Sequence, residues 1–201
     1  MINTGVDDVT RRWTLRLVAG LAAGAVLLSG CSGQQEANDT LPGADATPSA
    51  SEAELPPLGP LDLPMPAEAR TQDAAGAEAF VRYYIDLINR TSTVMDAAPL
   101  REFSSNCEEC SRIATDAEND AAAGYRYDGG KLTITWIEAF RPGETIEFGL
   151  VIDQAALGVT DQDGNPVPSL TFPALNGLQS GAIVTWDRDR QSWLIRGLTL
   201  G

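Results

Sequence analysis

The sequence predicts an α+β domain, helices first and an antiparallel sheet after them, preceded by a long tail. Three observations carry this. Apolar residues recur at helical spacing from about residue 73 to residue 123. From Tyr125 the period changes to strict alternation, the signature of half-buried strands. Between Cys31 and Thr71 there is little apolar periodicity, and the stretch is rich in Pro, Ala, Ser and Glu. One apolar sheet face covered by an amphipathic helix satisfies both periods at once.

The first 30 residues read as a targeting segment rather than structure. Arg11, Arg12 and Arg16 form a positive region, and Leu17 to Leu28 form an apolar core. A permanent membrane helix needs about 20 apolar residues, more than this core has. The core ends in Leu28-Ser29-Gly30-Cys31, which resembles the lipobox of bacterial lipoproteins. That resemblance implies a diacylglyceryl thioether on Cys31 and cleavage before it. It also implies residence on the outer face of a membrane, held there by lipid. Thr10-Arg11-Arg12-Trp13-Thr14-Leu15-Arg16 is also similar to a twin-arginine export signal, with Thr14 departing from the usual aromatic. The general secretory and twin-arginine routes both stay open.

Residues 31–69 read as the anchor cysteine and a linker, with 70–201 as the folded domain. Stretches such as Ala46-Thr47-Pro48-Ser49-Ala50-Ser51 and Glu54-Leu55-Pro56-Pro57-Leu58-Gly59-Pro60 offer little to bury against the entropy of ordering. As a coil the linker would reach roughly 35 Å. It is expected to be removable up to about Pro64 without loss of stability.

Within the domain, Asp73 is expected to cap a first helix over 73–89, with Phe80, Tyr83, Tyr84, Leu87 and Ile88 on its apolar face. A short second helix covers 96–103, with Pro99 in its first turn. Ser105 or Asn106 then caps a third helix that stops at Gly124. Leu132, Ile134, Trp136 and Phe140 are expected on one face of a strand, and Ile146, Phe148, Leu150 and Ile152 on one face of the next. Arg141-Pro142-Gly143-Glu144 is the turn between them. Residues 157–176 are rich in turns, with room for a small hairpin. Two further strands follow near 178–187 and 192–200.

This order of elements resembles the cone-shaped α+β roll of the nuclear-transport-factor-2-like superfamily. More narrowly, the chain is similar to a family of actinobacterial lipoproteins known as a domain of unknown function, number 6318. The residues that carry the likeness are Met65-Pro66-Ala67-Glu68-Ala69, Ala77-Glu78-Ala79-Phe80-Val81-Arg82-Tyr83-Tyr84, Ala98-Pro99-Leu100, Cys107-Glu108-Glu109-Cys110 and Tyr127-Asp128-Gly129-Gly130. The resemblance implies a curved sheet wrapped over helices and no particular chemistry.

Composition narrows the function. The full chain has 14 basic and 28 acidic residues, for a formal charge of −14. After Cys31 there remain 11 basic and 26 acidic, near −15. Such a chain is repelled by nucleic acid, which is not expected as a partner. There is no histidine, which removes Ser-His-Asp and Cys-His catalysis as usually built and most zinc sites. No cofactor and no metal site are expected.

Cys107 and Cys110 have three readings. They form a disulfide at the start of the third helix, in an oxidising compartment; or a redox-active dithiol; or free thiols. Asp161-Gln162-Asp163-Gly164-Asn165 alternates oxygens as a calcium loop does, but lacks the distal ligands and reads more simply as a turn. Asp116, Glu118 and Asp120 read as a solvated helix face. Tyr83, Tyr84 and Trp136 are the candidate lining of a cone pocket, which Tyr125 and Tyr127 could also approach. The expected function is therefore binding without catalysis, of an envelope protein or a small apolar ligand. The alternative is an isomerase- or dehydratase-like enzyme using an Asp–Tyr pair in the cone, with Asp153 as its carboxylate.

Overall fold

The computed structural model describes residues 55–141 and 143–201. The signal segment, Cys31 and most of the linker read from the sequence lie outside them. A single 3-10 turn, Ala67–Arg70, leads into helix α1 (Ala74–Val94), followed by α2 (Ala98–Glu102) and α3 (Glu108–Ala122). Six strands follow: β1 (Arg126–Gly129), β2 (Leu132–Arg141), β3 (Thr145–Gln154), β4 (Leu157–Thr160), β5 (Leu175–Asp187) and β6 (Ser192–Thr199). The main sheet is antiparallel in the order β2-β3-β5-β6, and β1 pairs with β4 in a small second sheet. Helices followed by a curved antiparallel sheet is the fold class the sequence predicts.

Helix α1 is capped by Asp73, whose carboxylate accepts from Gly76 N at 2.7 Å. It runs five residues past the expected end at 89. Its last turn holds Thr91, Ser92 and Thr93, which read as a helix stop because hydroxyls compete for backbone groups. Here they bond within the helix instead: Thr91 Oγ1 donates to Leu87 O at 2.9 Å and Ser92 Oγ to Ile88 O at 3.3 Å. The buried face of α1 (Phe80, Tyr84, Leu87, Ile88) joins one core with Ile146, Phe148, Leu150 and Ile152 of β3, Val184 of β5 and Ile195 of β6.

Three departures from the sequence reading have physical causes. The domain begins well before residue 70. Leu58 and Leu63 pack on the core, and Met65 and Ala69 are buried in it. Met65 N donates to Leu58 O at 2.8 Å, and Arg90 clasps Asp62 at 2.8 Å. Arg70 ties the strap down at both ends, donating to Pro56 O at 2.6 Å and to Arg190 O at 3.1 Å. The four apolar residues have no helical or strand period, so pattern alone assigns them to the linker.

The second departure is in β2. Ile134 pairs with Ile152 but Trp136 pairs with Val151, so Thr135 is an extra residue, a β-bulge. The bulge reverses the alternation. Leu132 and Ile134 face the core as expected, and beyond the bulge Ile137 and Ala139 take that face while Trp136 and Phe140 turn outward. Thirdly, α3 is capped by Cys107, not by Ser105 or Asn106; its Sγ accepts from Cys110 N at 3.2 Å. Asn106 instead adopts a left-handed turn with φ 51°. The turn-rich 157–176 segment folds back on itself as a small hairpin, with Thr160 bridging Pro166 and with Phe172 and Leu157 exchanging backbone hydrogen bonds at 2.9 Å, and it supplies β4 to the small sheet.

Candidate functional site

The two tyrosines expected to line a pocket lie inside the core. Tyr84 is fully buried, and its hydroxyl donates to Leu100 O at 3.0 Å. Burial pushes its phenol up to about 12, partly offset by a hydrogen bond with Ser104. Tyr83 donates to Leu63 O at 3.1 Å and packs edge-on to Phe103, ring centroids 5.9 Å apart. Burial, and then the charge of Glu102, raise its phenol too. Phe80 meets Phe103 at 6.4 Å, so the centre of the roll is filled by rings. Each phenolic proton is committed to a carbonyl.

The structure does not bring Trp136 to those tyrosines. It sits on the outer face of the sheet, 45% exposed. Asp153 is also turned away from Ile152 and its neighbours, and accepts from Gly177 N at 2.8 Å. The Asp–Tyr pair that does form joins Tyr127, one of the aromatics expected near the cone, to Asp120, which read as part of a solvated helix face. Tyr127 donates to Asp120 in a short hydrogen bond that joins β1 to α3. Burial and the neighbouring Asp120 carboxylate raise the Tyr127 phenol. Tyr127, without Asp120, lines a cleft of about 220 Å³ whose apolar wall includes Ile88, Ile113, Leu157 and Leu200. The two residues come from different elements seven positions apart, and neither period marks them.

Cys107 and Cys110 form a disulfide, Cα atoms 5.3 Å apart, at the first turn of α3. Both residues are buried. Glu108 and Glu109 follow in the first turn, where negative charge complements the helix dipole. The 161–165 loop is a turn: Asp161 Oδ1 accepts from Asp163 N at 2.9 Å and Asn165 N at 2.8 Å. Of the expected solvated acids, Asp116 pairs with Arg112 and Glu118 with Arg101, each at 2.8 Å. Among the described residues no cluster of metal-ligating side chains forms.

The feature with the clearest capacity for recognition is the outer face of the main sheet. Trp136 and Phe140, the latter 60% exposed, pack as a tilted pair with centroids 6.4 Å apart. They lie over Gly149 of β3: a methyl group there would meet Phe140 Cε2 at 2.5 Å and Trp136 Cζ3 at 3.3 Å. Gly149 pairs with Gly181 of β5, and Gly197 of β6 pairs with Ile183, whose 39%-exposed side chain spreads over it. Gly149 thus lies beneath the rings and Gly197 beneath Ile183, and of the three glycines only Gly181 leaves the face uncovered. From sequence the aromatics looked internal, because Thr135 gives no sign of being an extra residue.

Among the described residues, helices lie on one side of a curved antiparallel sheet and none on the other, which defines the class: an α+β roll with a filled interior. The chain belongs to a family of unknown function (DUF6318), whose family pattern matches residues 63–198. That span includes Leu63, Met65 and Ala69 of the strap. No curated protein matches. Among solved structures, the chain is similar to the intermembrane space region of the chloroplast protein ARC6, at 16% identity and TM-score 0.47, over 64% of this chain and 95% of that one. It is also similar to a domain of unknown function with a cystatin-like fold from Nostoc punctiforme, at 16% identity and TM-score 0.34, over 65% and 76%. A structure from Catenulispora acidiphila aligns at 9% identity and TM-score 0.35, over 63% and 94%.

Proposed function

We propose that this is an extracytoplasmic lipoprotein, lipid-anchored through Cys31, whose domain binds another protein at the cell envelope through the outer face of its sheet and performs no catalysis. The kinship with actinobacterial lipoproteins and with the nuclear-transport-factor-2-like roll is part of the same reading. The observation that carries the binding face is the exposed Trp136–Phe140 pair over Gly149. Aromatic side chains are enriched in the centres of protein interfaces and depleted from idle surface. The filled interior argues against a small apolar ligand inside the cone.

The enzyme reading keeps one observation in its favour, the Asp120–Tyr127 pair beside an apolar cleft. The cleft is smaller than the roughly 300 Å³ at which ligand pockets begin. Its phenol is held protonated by burial and by the neighbouring carboxylate, and so is poorly suited to act as a base.

A photo-crosslinking residue placed at Trp136 in intact cells tests the proposal, with the exposed helical position Asp86 as control. Discrete adducts from position 136 and none from position 86 are expected. Equal labelling from both positions would remove the case for a binding face.

A further inference from the structure

We propose that the partner docks as an extended segment on the open edge of β2 and adds a short strand to the main sheet, with arginine or lysine beside Glu138 and apolar side chains beside Ile137 and Ala139. This rests on the reading of the Trp136–Phe140 face as the binding surface, and it adds the form and chemistry of the partner.

The main sheet has two edges, β2 and β6. The β6 edge is closed. Ile195 N donates to Phe103 O, and Ile195 O accepts from Ser105 N, each at 2.9 Å, so the segment after α2 stands in for a further strand. The β2 edge is closed at its start. There the Asn89 carboxamide accepts from Leu132 N at 2.8 Å and donates to Leu132 O at 2.9 Å. A side-chain amide thus makes the pair of bonds that one residue of a neighbouring strand would make.

Those two bonds also fix the direction of the backbone. Leu132 turns its N–H and C=O away from β3, and alternate residues of an antiparallel strand do the same. The bulge at Thr135 shifts the count by one, so beyond it Ile137 and Ala139 turn theirs outward. Among the described residues no backbone group pairs with these outward groups. Between the irregularities at Thr135 and Phe140 the open edge carries no lysine or proline, the usual guards of an edge, and its one charge is Glu138.

Both sides of this edge are apolar and unfinished. Ile137 and Ala139 pack on the core but are only half-buried, and Trp136 and Phe140 stand exposed on the other side. A strand added here would lie about 4.8 Å from β2 and cover both rows. Its main chain would satisfy the outward N–H and C=O of Ile137 and Ala139.

Charge selects the side chains. Glu138 is exposed and forms no ion pair among the described residues, while the nearby Arg141 is taken by Glu147 at 3.3 Å. It stands between Trp136 and Phe140 along the strand, so a cation beside it also meets aromatic rings. The formal charge of −14 draws a basic segment and repels an acidic one. This chain does not supply the segment. Residues 32–54 hold Glu36, Asp39, Asp45, Glu52 and Glu54 and no basic residue, and a second β2 would bring another Glu138 to the edge. The occupant is then a stretch of another protein that alternates basic and apolar residues and is held largely by its main chain.

The test uses the mature chain with Cys31→Ser and three heptapeptides with blocked ends. One alternates arginine and valine, one is the same sequence N-methylated at every residue, and one has glutamate in place of arginine. Amide NMR reads both affinity and hydrogen exchange. The arginine–valine peptide should bind saturably and slow exchange at Ile137 and Ala139 at least about tenfold. The N-methylated and glutamate peptides should each bind at least about tenfold more weakly. Glu138→Arg, an exposed change that should leave the melting temperature unaltered, should weaken the first peptide as much. No protection at Ile137 and Ala139 would overturn the inference, and so would N-methylated or glutamate peptides that bind as tightly as the first. If the edge stays unprotected while position 136 gives discrete adducts in cells, the partner covers the face without adding a strand, and the binding surface stands. If the edge stays unprotected and position 136 yields no specific adduct, both fall.

Discussion

Tyr84 is a buried phenol spent on one carbonyl, and that makes it a titration-dependent part of the core. Its folded-state pKa, about 12, lies above the ordinary 10.0, so the folded protein holds this proton more tightly than the unfolded chain does. The contribution is complete below pH 10 and is lost as pH rises through about 12. It amounts to about 3 kcal/mol at most. Urea unfolding at neutral pH and at about pH 11 should show a large fall in stability for wild type. Tyr84→Phe should show a smaller fall, and should lose only about 1 kcal/mol at neutral pH, because Ser104 Oγ also donates to Leu100 O at 2.7 Å. An unchanged alkaline fall in the variant would assign the effect elsewhere. That Tyr83 and Tyr84 are buried was legible from their place on the apolar stripe of a helix. That Trp136 is not was illegible: a bulge changes the phase of a strand at one residue, and Thr135 is as acceptable in a regular strand as in a bulge.

The elements show the same division between pattern and local geometry. Helix α1, the two-strand hairpins and the Asp161 turn follow from period and turn chemistry, which act within a few residues. The strap at 58–69 does not, since its apolar residues acquire meaning only when α1 is present to receive them. A chain starting at Pro64 should therefore be less stable than one starting at residue 55. The loss should be about 2–4 kcal/mol, from half-burial of Leu58 and Leu63 and the orphaned hydroxyl of Tyr83. Equal melting temperatures would show that the strap adds nothing. The β5–β6 turn offers a gain instead. Gln191 is exposed with φ 50°, a left-handed conformation that costs a side chain about 1–2 kcal/mol. Its contact with Arg70 uses the backbone carbonyl, which Gln191→Gly keeps. That variant should melt higher by about 0.5–1 kcal/mol in stability, less than the full relief because glycine gains entropy when unfolded. At the start of α3, replacing Cys107 and Cys110 with Ala should cost about 1–3 kcal/mol, because the bridge closes so small a loop.

For the whole molecule, charge, tail and fold make different claims on the amino-acid pattern. The order of helices before strands was readable because each period persists over several turns or strands. The bare outer face was not, because nothing in one strand's alternation says whether helices cover one side of the sheet or both. Among the described residues no helix is long and apolar enough to cross a membrane. On the proposed reading, attachment lies in the segment before residue 55, where the expectation rests on Cys31 following Leu28-Ser29-Gly30. A single acyl chain binds a membrane only marginally, and this chain's negative charge offers no electrostatic help at an anionic surface. The two chains of a diacylglyceryl group are therefore needed for a stable anchor. Detergent partitioning of wild type and Cys31→Ser checks this. Wild type should enter the detergent phase and the variant should remain in the aqueous phase. The two purified proteins should melt at the same temperature, because the cysteine lies 24 residues ahead of the first described residue. A variant that partitions as wild type does would place the anchor elsewhere.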